Sequence, residues 1–285
     1  MRVLVAGATG AVGRPLVPML RAAGHEVVGL SRTEAGVDRI RGRGAAAVRA
    51  DVLDRPGLHG AVVTARPDAV IHQLTDLAGA DAEATTTLRR DGTRNLVDAA
   101  AAAGADRIVV QSTAFPYEPG ATPADESVPF TPADPVADGL RDLERTAAEL
   151  GIAVMLRYGI LYGPGTWYEP GGAIAAALSG RPGAPFLADL AADDSVTSFV
   201  HVDDAAAAAL DWPSGPVNIV DDEPAPGRDW LPVLAAALGV PAPAPAPAAN
   251  RQGRARGASN ALARSRGWRP RFPTWRTGFA AQANP

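Results

Sequence analysis

Apolar residues fall in short blocks along this chain, each closed by glycine or by a polar turn. Residues 1–6 make the first block, with Val3 and Val5 inside it, and predict a strand. The block runs directly into Gly7-Ala8-Thr9-Gly10-Ala11-Val12-Gly13. Residues 14–21 follow, and their pattern predicts a helix stopped near Gly24. Residues 25–30, 45–49 and 68–72 predict three more strands. A long helix is expected over 80–103, with Leu88, Leu96 and Val97 facing inward and Gly104 as its stop. Residues 107–111 predict a fifth strand, apolar on both faces as buried parallel strands are. A helix over 138–150, stopped by Gly151, leads to a sixth strand over 152–156. The pattern then loosens, and 167–194 reads as loop with one short helix near 172–179. Beyond it come a strand at 198–203 feeding a helix at 203–210, a strand at 216–220 and a helix at 230–238. Strands alternating with helices at this spacing predict an α/β fold built on a doubly wound parallel sheet.

The junction at 7–13 carries the chemistry. A strand, a glycine turn and a helix N-terminus in succession aim backbone N–H groups at a phosphate. Gly7 permits the sharp turn, Gly10 lets backbone approach a pyrophosphate, and Gly13 lets the helix pack closely on the strand. The spacing is G-x-x-G-x-x-G rather than the usual G-x-G-x-x-G, so an ordinary tight strand–helix turn is the alternative. The flanking strand and helix favour a dinucleotide, which makes Gly7, Thr9, Gly10, Ala11, Val12 and Gly13 the expected cofactor-binding residues of a Rossmann-type domain. The second strand ends at Ser31-Arg32, where an NAD-binding unit usually carries an acid for the ribose 2′-hydroxyl. A guanidinium there suits a 2′-phosphate and points to NADP, with NAD still allowed. Arg32 is otherwise a solvated surface cation, and Glu34 lies close enough in sequence to oppose a phosphate. Asp51 either shapes its turn or holds an adenine amino group. Val52 and Leu74 are expected beside the cofactor, and Asp54 is expected to cap the next helix.

Length and composition narrow the range. At 285 residues the chain is one large domain or two small ones. The dinucleotide-binding domain is expected over 1–158 plus about 198–220, and a smaller C-terminal substrate-binding region over 159–197 plus 221–285. A net charge of -4 gives no case for nucleic acid or an anionic membrane. No apolar run approaches the length of a transmembrane helix. The chain opens on a strand rather than a secretory signal, so a cytoplasmic location is expected. The absence of cysteine removes disulfides, thiolate catalysis and cysteine-ligated metals. The 4 histidines are scattered without ligand spacing, and no metal is expected. All 27 basic residues are arginine, which excludes a Schiff base, a lysine general base and a lysine phosphate clamp. The Pro-Ala alternation over 241–247 reads as extended surface chain, and the arginine-rich stretch 251–276 as a solvated edge.

Several segments, in this order, resemble the extended short-chain dehydrogenase/reductase superfamily, the group of NAD(P)-dependent sugar epimerases and dehydratases. They are 7–13, Asp51-Val52-Leu53-Asp54, Val70-Ile71-His72, 91–96, Val109-Val110-Gln111-Ser112-Thr113, Leu156-Arg157 with Tyr162-Gly163-Pro164-Gly165, Phe199-Val200-His201-Val202-Asp203-Asp204, and the ending at 260–270. The resemblance implies a Thr or Ser after the fifth strand that polarises a substrate oxygen, and Thr113 stands there. It also implies a Tyr and a Lys four residues apart on the following helix. The Tyr is the acid/base; the Lys lowers its pKa and holds the nicotinamide ribose. Val136 and Leu140 occupy those two positions, so the cofactor apparatus is kept and the dyad is not.

Other donors are then needed. Tyr117, close behind Thr113, is the first candidate, and otherwise packs in its loop. His201 titrates near neutral pH and is the second, and otherwise holds its strand to Asp203 or Asp204. His72 is structural or cofactor-adjacent. Tyr158 either walls the cofactor pocket or packs in the core, and Trp167 and Tyr168 are expected at the mouth of the substrate site. The expected function is an atypical NAD(P)-dependent oxidoreductase or epimerase/dehydratase-like enzyme, acting on a small polar or secondary-metabolite substrate. A non-redox isomerase, lyase or cyclase on the same fold is one alternative, and a non-catalytic NADP-sensing protein is another. The alanine-rich helices over 80–103 and 138–150 suit a homodimer of the kind the family often forms.

Overall fold

The computed structural model describes residues 1–76, 82–181, 190, 192–210, 213–246 and 256–283. The start of the helix expected over 80–103, part of the loop over 167–194, Pro247 and the beginning of the arginine-rich stretch at 251–255 lie outside the described residues.

The first elements alternate as the pattern required: β1 (Arg2–Ala6), α1 (Gly13–Ala22), β2 (Glu26–Ser31), α2 (Glu34–Gly42), β3 (Ala46–Arg49), α3 (Arg55–Ala65) and β4 (Ala69–His72). The helix starts have local causes. Thr33 caps α2 by accepting from the Gly36 amide, and Asp54 caps α3 by accepting from the Gly57 amide. Pro56 sits in the first turn of α3, where no intrahelical N–H bond is lost.

The long helix expected next is two helices, α4 (Ala82–Thr87) and α5 (Thr93–Ala102), joined by a π-helical turn over Leu88–Gly92. Gly92 brings that turn against α3's entry loop: a side chain there would meet Val52 Cγ2 at 3.2 Å. Leu88, Leu96 and Val97 are buried, as their spacing predicts. β5 (Arg107–Thr113) runs on to Thr113. α6 (Pro135–Ala147) begins at its proline rather than at Asp138, because proline's fixed φ suits the first helical position. There follow β6 (Ile152–Tyr158), β7 (Ile160–Tyr162), α7 (Ala173–Leu178), β8 (Val196–Thr197), β9 (Phe199–His201), α8 (Val202–Ala208), β10 (Gly215–Ile219), β11 (Ala225–Pro226) and α9 (Gly227–Ala237). Of two C-terminal helices, α10 (Ala261–Ser265) lies in the stretch that read as a solvated edge, and α11 (Trp275–Ala283) starts at its end.

The seven-stranded sheet has the order β10-β6-β5-β4-β1-β2-β3. β1 pairs in parallel with both β2 and β4, which sets Ala6 beside Leu30 on one side and His72 on the other. β2 pairs in parallel with β3, and β4 with β5. The chain therefore winds outward one way through β2 and β3 and returns through β4 and β5. This is the doubly wound, Rossmann-type arrangement, whose ligands sit at the carboxyl ends of the strands where the order reverses. No helix among the described residues is long and apolar enough to cross a membrane.

Two compact units divide the chain: 1–112 with 135–156 and 206–216, and 113–134 with 157–205 and 217–285. The first has an aliphatic core that includes Leu4, Val28, Leu58, Leu96, Ile108 and Leu143. The second has an aromatic one, in which Tyr162, Tyr168, Phe199, Trp230, Trp275 and Phe279 meet. Phe199 packs edge-on to Tyr162, Tyr168, Trp230 and Phe279. Burying one such side chain stabilises the fold by roughly 1.5–3 kcal/mol.

Asp221 is buried in the second unit, where its carboxylate accepts from the Glu223 amide. Burial pushes its carboxyl up to about 8, against backbone N–H groups of Glu223 and Trp275 that favour the anion. The unfolded chain gives up this proton near 3.8, whereas the folded chain keeps it until about 8. Between those values the unfolded state binds fewer protons, so stability falls as pH rises through the window. Asp221→Asn keeps an acceptor and removes the charge. It is expected to raise the unfolding free energy by on the order of a few kcal/mol more at pH 8 than at pH 5, read from urea titrations at the two values. An equal effect at both would mean that Asp221 is ionised in the fold.

Candidate active site

β1 delivers the chain to Gly7, whose φ of 92° lies in the left-handed region. A Cβ on Gly7 would sit 2.6 Å from the Gln73 carbonyl oxygen, and a Cβ on Gly13 would collide with the Gly7 carbonyl and the Ala8 backbone. Both glycines are therefore required by the close passage of backbone. Gly10 is different. It is exposed, and only the Gly7 carbonyl oxygen, at 3.3 Å, comes near the place a Cβ would take. The bare face of Gly10 is thus space that the fold itself does not fill. Val12 precedes α1 without a side-chain cap, and the first turn holds no acidic residue. The helix presents its N–H groups and positive dipole end to whatever lies over Gly10, which fits a phosphate. Thr9 and Ala11 reach the surface beside it, while Val12 and Gly13 are buried.

The rest of this unit's expected site lies along the same strand ends. Ser31 Oγ bonds to the backbone of Thr33 and shapes the turn into α2. Arg32 is exposed, and Glu34, the acid nearest to it in sequence, is paired with Arg49 at 3.4 Å instead. Asp51 takes the turn role, accepting from the Leu53 amide at 3.0 Å. Val52 is buried, and its carbonyl accepts from Asn95. Leu74 packs half-buried against the core. His72 Nδ1 accepts from the Leu74 amide, so Nε2 carries the proton and donates to Thr93 Oγ1 at 3.0 Å. Burial, with the charge of Arg89 adding to it, pushes His72 down to about 4. It is a neutral tie between β4 and α5. On α6, Val136 is half-buried and Leu140 fully buried, and Glu144 accepts from Ser112 Oγ at 2.6 Å.

The second unit holds the expected catalytic and substrate residues. Thr113 is buried at the end of β5, and its Oγ1 has no hydrogen-bond partner among the described residues. Tyr117 is 0% exposed. Its hydroxyl donates to Asn218 Oδ1 at 2.5 Å and accepts from Arg157 at 3.2 Å. Arg157 also donates to the Glu126 carbonyl and lies 4.3 Å over the Phe130 ring. Asn218 closes the network by donating to the carbonyls of Ala124 and Ser259. Neither Asn218 nor Arg157 was singled out from the sequence as a buried anchor. The available signal was a polar residue inside or at the end of an apolar strand.

His201 is buried between Tyr162 and Phe272, with ring centroids at 5.2 and 4.3 Å. Its Nδ1 accepts from the Asp203 amide, and burial lowers its pKa, partly opposed by Asp203 and Asp204. Asp204 in turn accepts from the amides of Arg271 and Phe272. Tyr158 is buried, with its hydroxyl donating to the Ala205 carbonyl at 2.9 Å. Tyr168 is a core residue packed on Phe199 and Trp230, and Trp167 lies half-buried beside the same cluster. A recess of about 190 Å³ is lined by Asp221, Asp222, Ser259 and Asn260 among others, and none of the expected site residues borders it. Asp222 there is already bound by Arg264 and Asn260.

Comparison with known proteins accords with this geometry. The NAD dependent epimerase/dehydratase family matches residues 3–212. A 3-diazoavenalumate denitrifying reductase from Streptomyces sp is 42% identical, over 99% of this chain and 100% of that protein. A 2'-dehydrokanamycin reductase from Streptomyces kanamyceticus is 32% identical, over 85% of this chain and 68% of its own. Among solved structures, the UDP-glucose 4-epimerase of Thermus thermophilus in complex with NAD superposes with a TM-score of 0.79 at 27% identity, covering 100% of this chain and 98% of that one. On the family match and on these likenesses, the chain belongs to the NAD dependent epimerase/dehydratase family.

Proposed function

We propose that the protein is an NADP-dependent reductase that delivers hydride to an aryl diazo group of a small secondary metabolite and releases dinitrogen. The observation that carries this is the absence of lysine from a chain whose full length matches a denitrifying reductase. Hydride addition to a carbonyl leaves an alkoxide that must be protonated, and a positioned acid contributes about 10²–10⁴-fold to such a step. An arenediazonium carbon makes no such demand. The C–H bond forms with the hydride's electron pair, the C–N bond breaks with its pair going to nitrogen, and a cation plus a hydride gives two neutral products. Val136 and Leu140 in place of the dyad are then no loss. A reduced nicotinamide, when bound, supplies the hydride.

The chain's own residues bind and orient. The uncapped N-terminus of α1 and the open face of Gly10 receive the pyrophosphate. Arg32 receives the 2′-phosphate, unopposed because Glu34 is engaged by Arg49. Thr113 offers a substrate oxygen a buried hydroxyl that has no partner among the described residues. Tyr117 and His201, the donors expected from the sequence, act here as anchors, since each is buried and hydrogen-bonded within the second unit. Reduction of a carbonyl is the second reading, favoured by the likeness to the 2'-dehydrokanamycin reductase.

Incubation with NADPH and 3-diazo-4-hydroxycinnamate is expected to release one dinitrogen per NADPH consumed, with no descending acid limb in the rate between pH 6 and 8. Turnover of ketones alone, with a limb abolished by His201→Ala or Tyr117→Phe, would establish the carbonyl reading instead. Cofactor binding with no turnover of either class would favour a sensor. Arg32→Ala should weaken NADPH binding by about tenfold, the worth of one charge-assisted contact, and leave NADH within about twofold. Equal losses for the two cofactors at one ionic strength would remove Arg32 from the site. Gly10→Val should abolish dinucleotide binding with little change in melting temperature, because its side chain would enter the pyrophosphate's space; retained micromolar affinity would make the turn purely structural.

A further inference from the structure

The π-helical turn Leu88–Gly92 carries two adjacent arginines that the fold treats in opposite ways. Arg90 is exposed and pairs with Asp91 through two hydrogen bonds of 2.8 and 3.0 Å. Arg89 is buried, at 7% exposure. No carboxylate or hydrogen-bond acceptor among the described residues engages it, and burial alone pulls its guanidinium down to about 10, still charged at neutral pH. Its guanidinium therefore depends on solvent or a ligand for its hydrogen bonds. A π turn inside a helix re-aims side chains and is frequent at functional sites.

Three neighbours say where Arg89 lies. Its Cδ is 3.7 Å from the place a Cβ on Gly139 would take, so Gly139 makes room on α6 for its stem. Leu140, where the family's lysine would stand, is the next residue along α6. Its charge also acts on His72, at the carboxyl end of β4. His72 pairs in register with Ala6, the residue before the glycine turn. A positive charge therefore lies on the π turn beside α6, close enough to the end of β4 to act on His72.

We propose that Arg89 is an anion-binding residue of the site, receiving a carboxylate or phosphate oxygen of the bound ligand. The assignment rests on the dinucleotide site proposed above. A planar guanidinium can grip either anion through two parallel N–H bonds. The anion comes from the dinucleotide or from a carboxylate on the substrate, and the two sources separate by experiment.

Purified Arg89→Met and Arg89→Lys are titrated by fluorescence with NADP⁺ and then, with NADP⁺ bound, with 4-hydroxycinnamate and its carboxamide. Thermal unfolding is followed without ligand. Arg89→Met should unfold at or above the wild-type temperature, since it removes an unpaired buried charge, and should lose about tenfold or more in affinity for one anionic probe. Arg89→Lys should keep part of that affinity. A loss toward NADP⁺ assigns the phosphate. A loss toward 4-hydroxycinnamate but not its carboxamide assigns a substrate carboxylate. Unchanged affinity for both probes overturns the proposal, as does an equal loss for acid and amide with a lowered unfolding temperature. If the wild type binds no dinucleotide, the proposed function falls and the titration with 4-hydroxycinnamate alone decides Arg89; if it binds neither probe, Arg89 falls as well.

Discussion

Backbone passes backbone so closely at the start of α1 that no side chain fits between them. Gly13 lies against the carbonyl of Gly7 and the backbone of Ala8, and Gly7 lies against Gln73. That contact fixes the first helix on the strand that pairs with both β2 and β4, and the sheet is laid out from β1 in both directions. It also fixes where the helix begins. A helix seated further out would carry its free N–H groups away from the carboxyl ends of the strands, where the doubly wound fold gathers its ligands. Within this one short stretch Gly7 and Gly13 serve the packing, while Gly10 keeps an open face.

Away from that turn, polar side chains are mostly engaged before any substrate arrives. His72 is held by Leu74 and Thr93, His201 by Asp203, Ser112 by Glu144, and Tyr117 by Asn218 and Arg157. Both of these histidines are buried and shifted toward the neutral form. Buried polar atoms without a partner among the described residues include the Thr113 hydroxyl and the Tyr162 hydroxyl.

The parallel sheet was legible because its strands are short apolar blocks closed by glycine, and because Asp54 announces its helix by capping chemistry. The π turn was not legible. Leu88 at its start and Leu96 and Val97 beyond it keep an inward face, and the displaced residue leaves no mark in the apolar pattern. The C-terminal helices were hidden for another reason. Trp275 and Phe279 are fully buried in a core built by distant residues, while the surrounding arginine and proline read as solvated chain. Of the candidate site, the glycine turn's backbone geometry could be read because glycine reports it directly. The roles of Tyr117, Tyr158, Tyr168 and His201 could not, since a polar aromatic is equally at home at a substrate mouth or in a core, and only its neighbours decide. Here the neighbours are the Asn218 amide, the Ala205 carbonyl, the Phe199 ring and the Asp203 amide.

The Asn218 side chain bears on how this protein can diverge. Its amide accepts from one side chain, Tyr117, and donates to two main-chain carbonyls, those of Ala124 and Ser259. Carbonyls belong to every amino acid, so positions 124 and 259 can drift in identity while their backbone stays in place. Position 218 has no such freedom. Aspartate lacks the donors, leucine lacks everything but the shape, and glutamine is one methylene too long for a buried strand site. Related chains that have wandered far in the 117–131 loop should therefore still be recognisable by a single asparagine in an otherwise apolar strand.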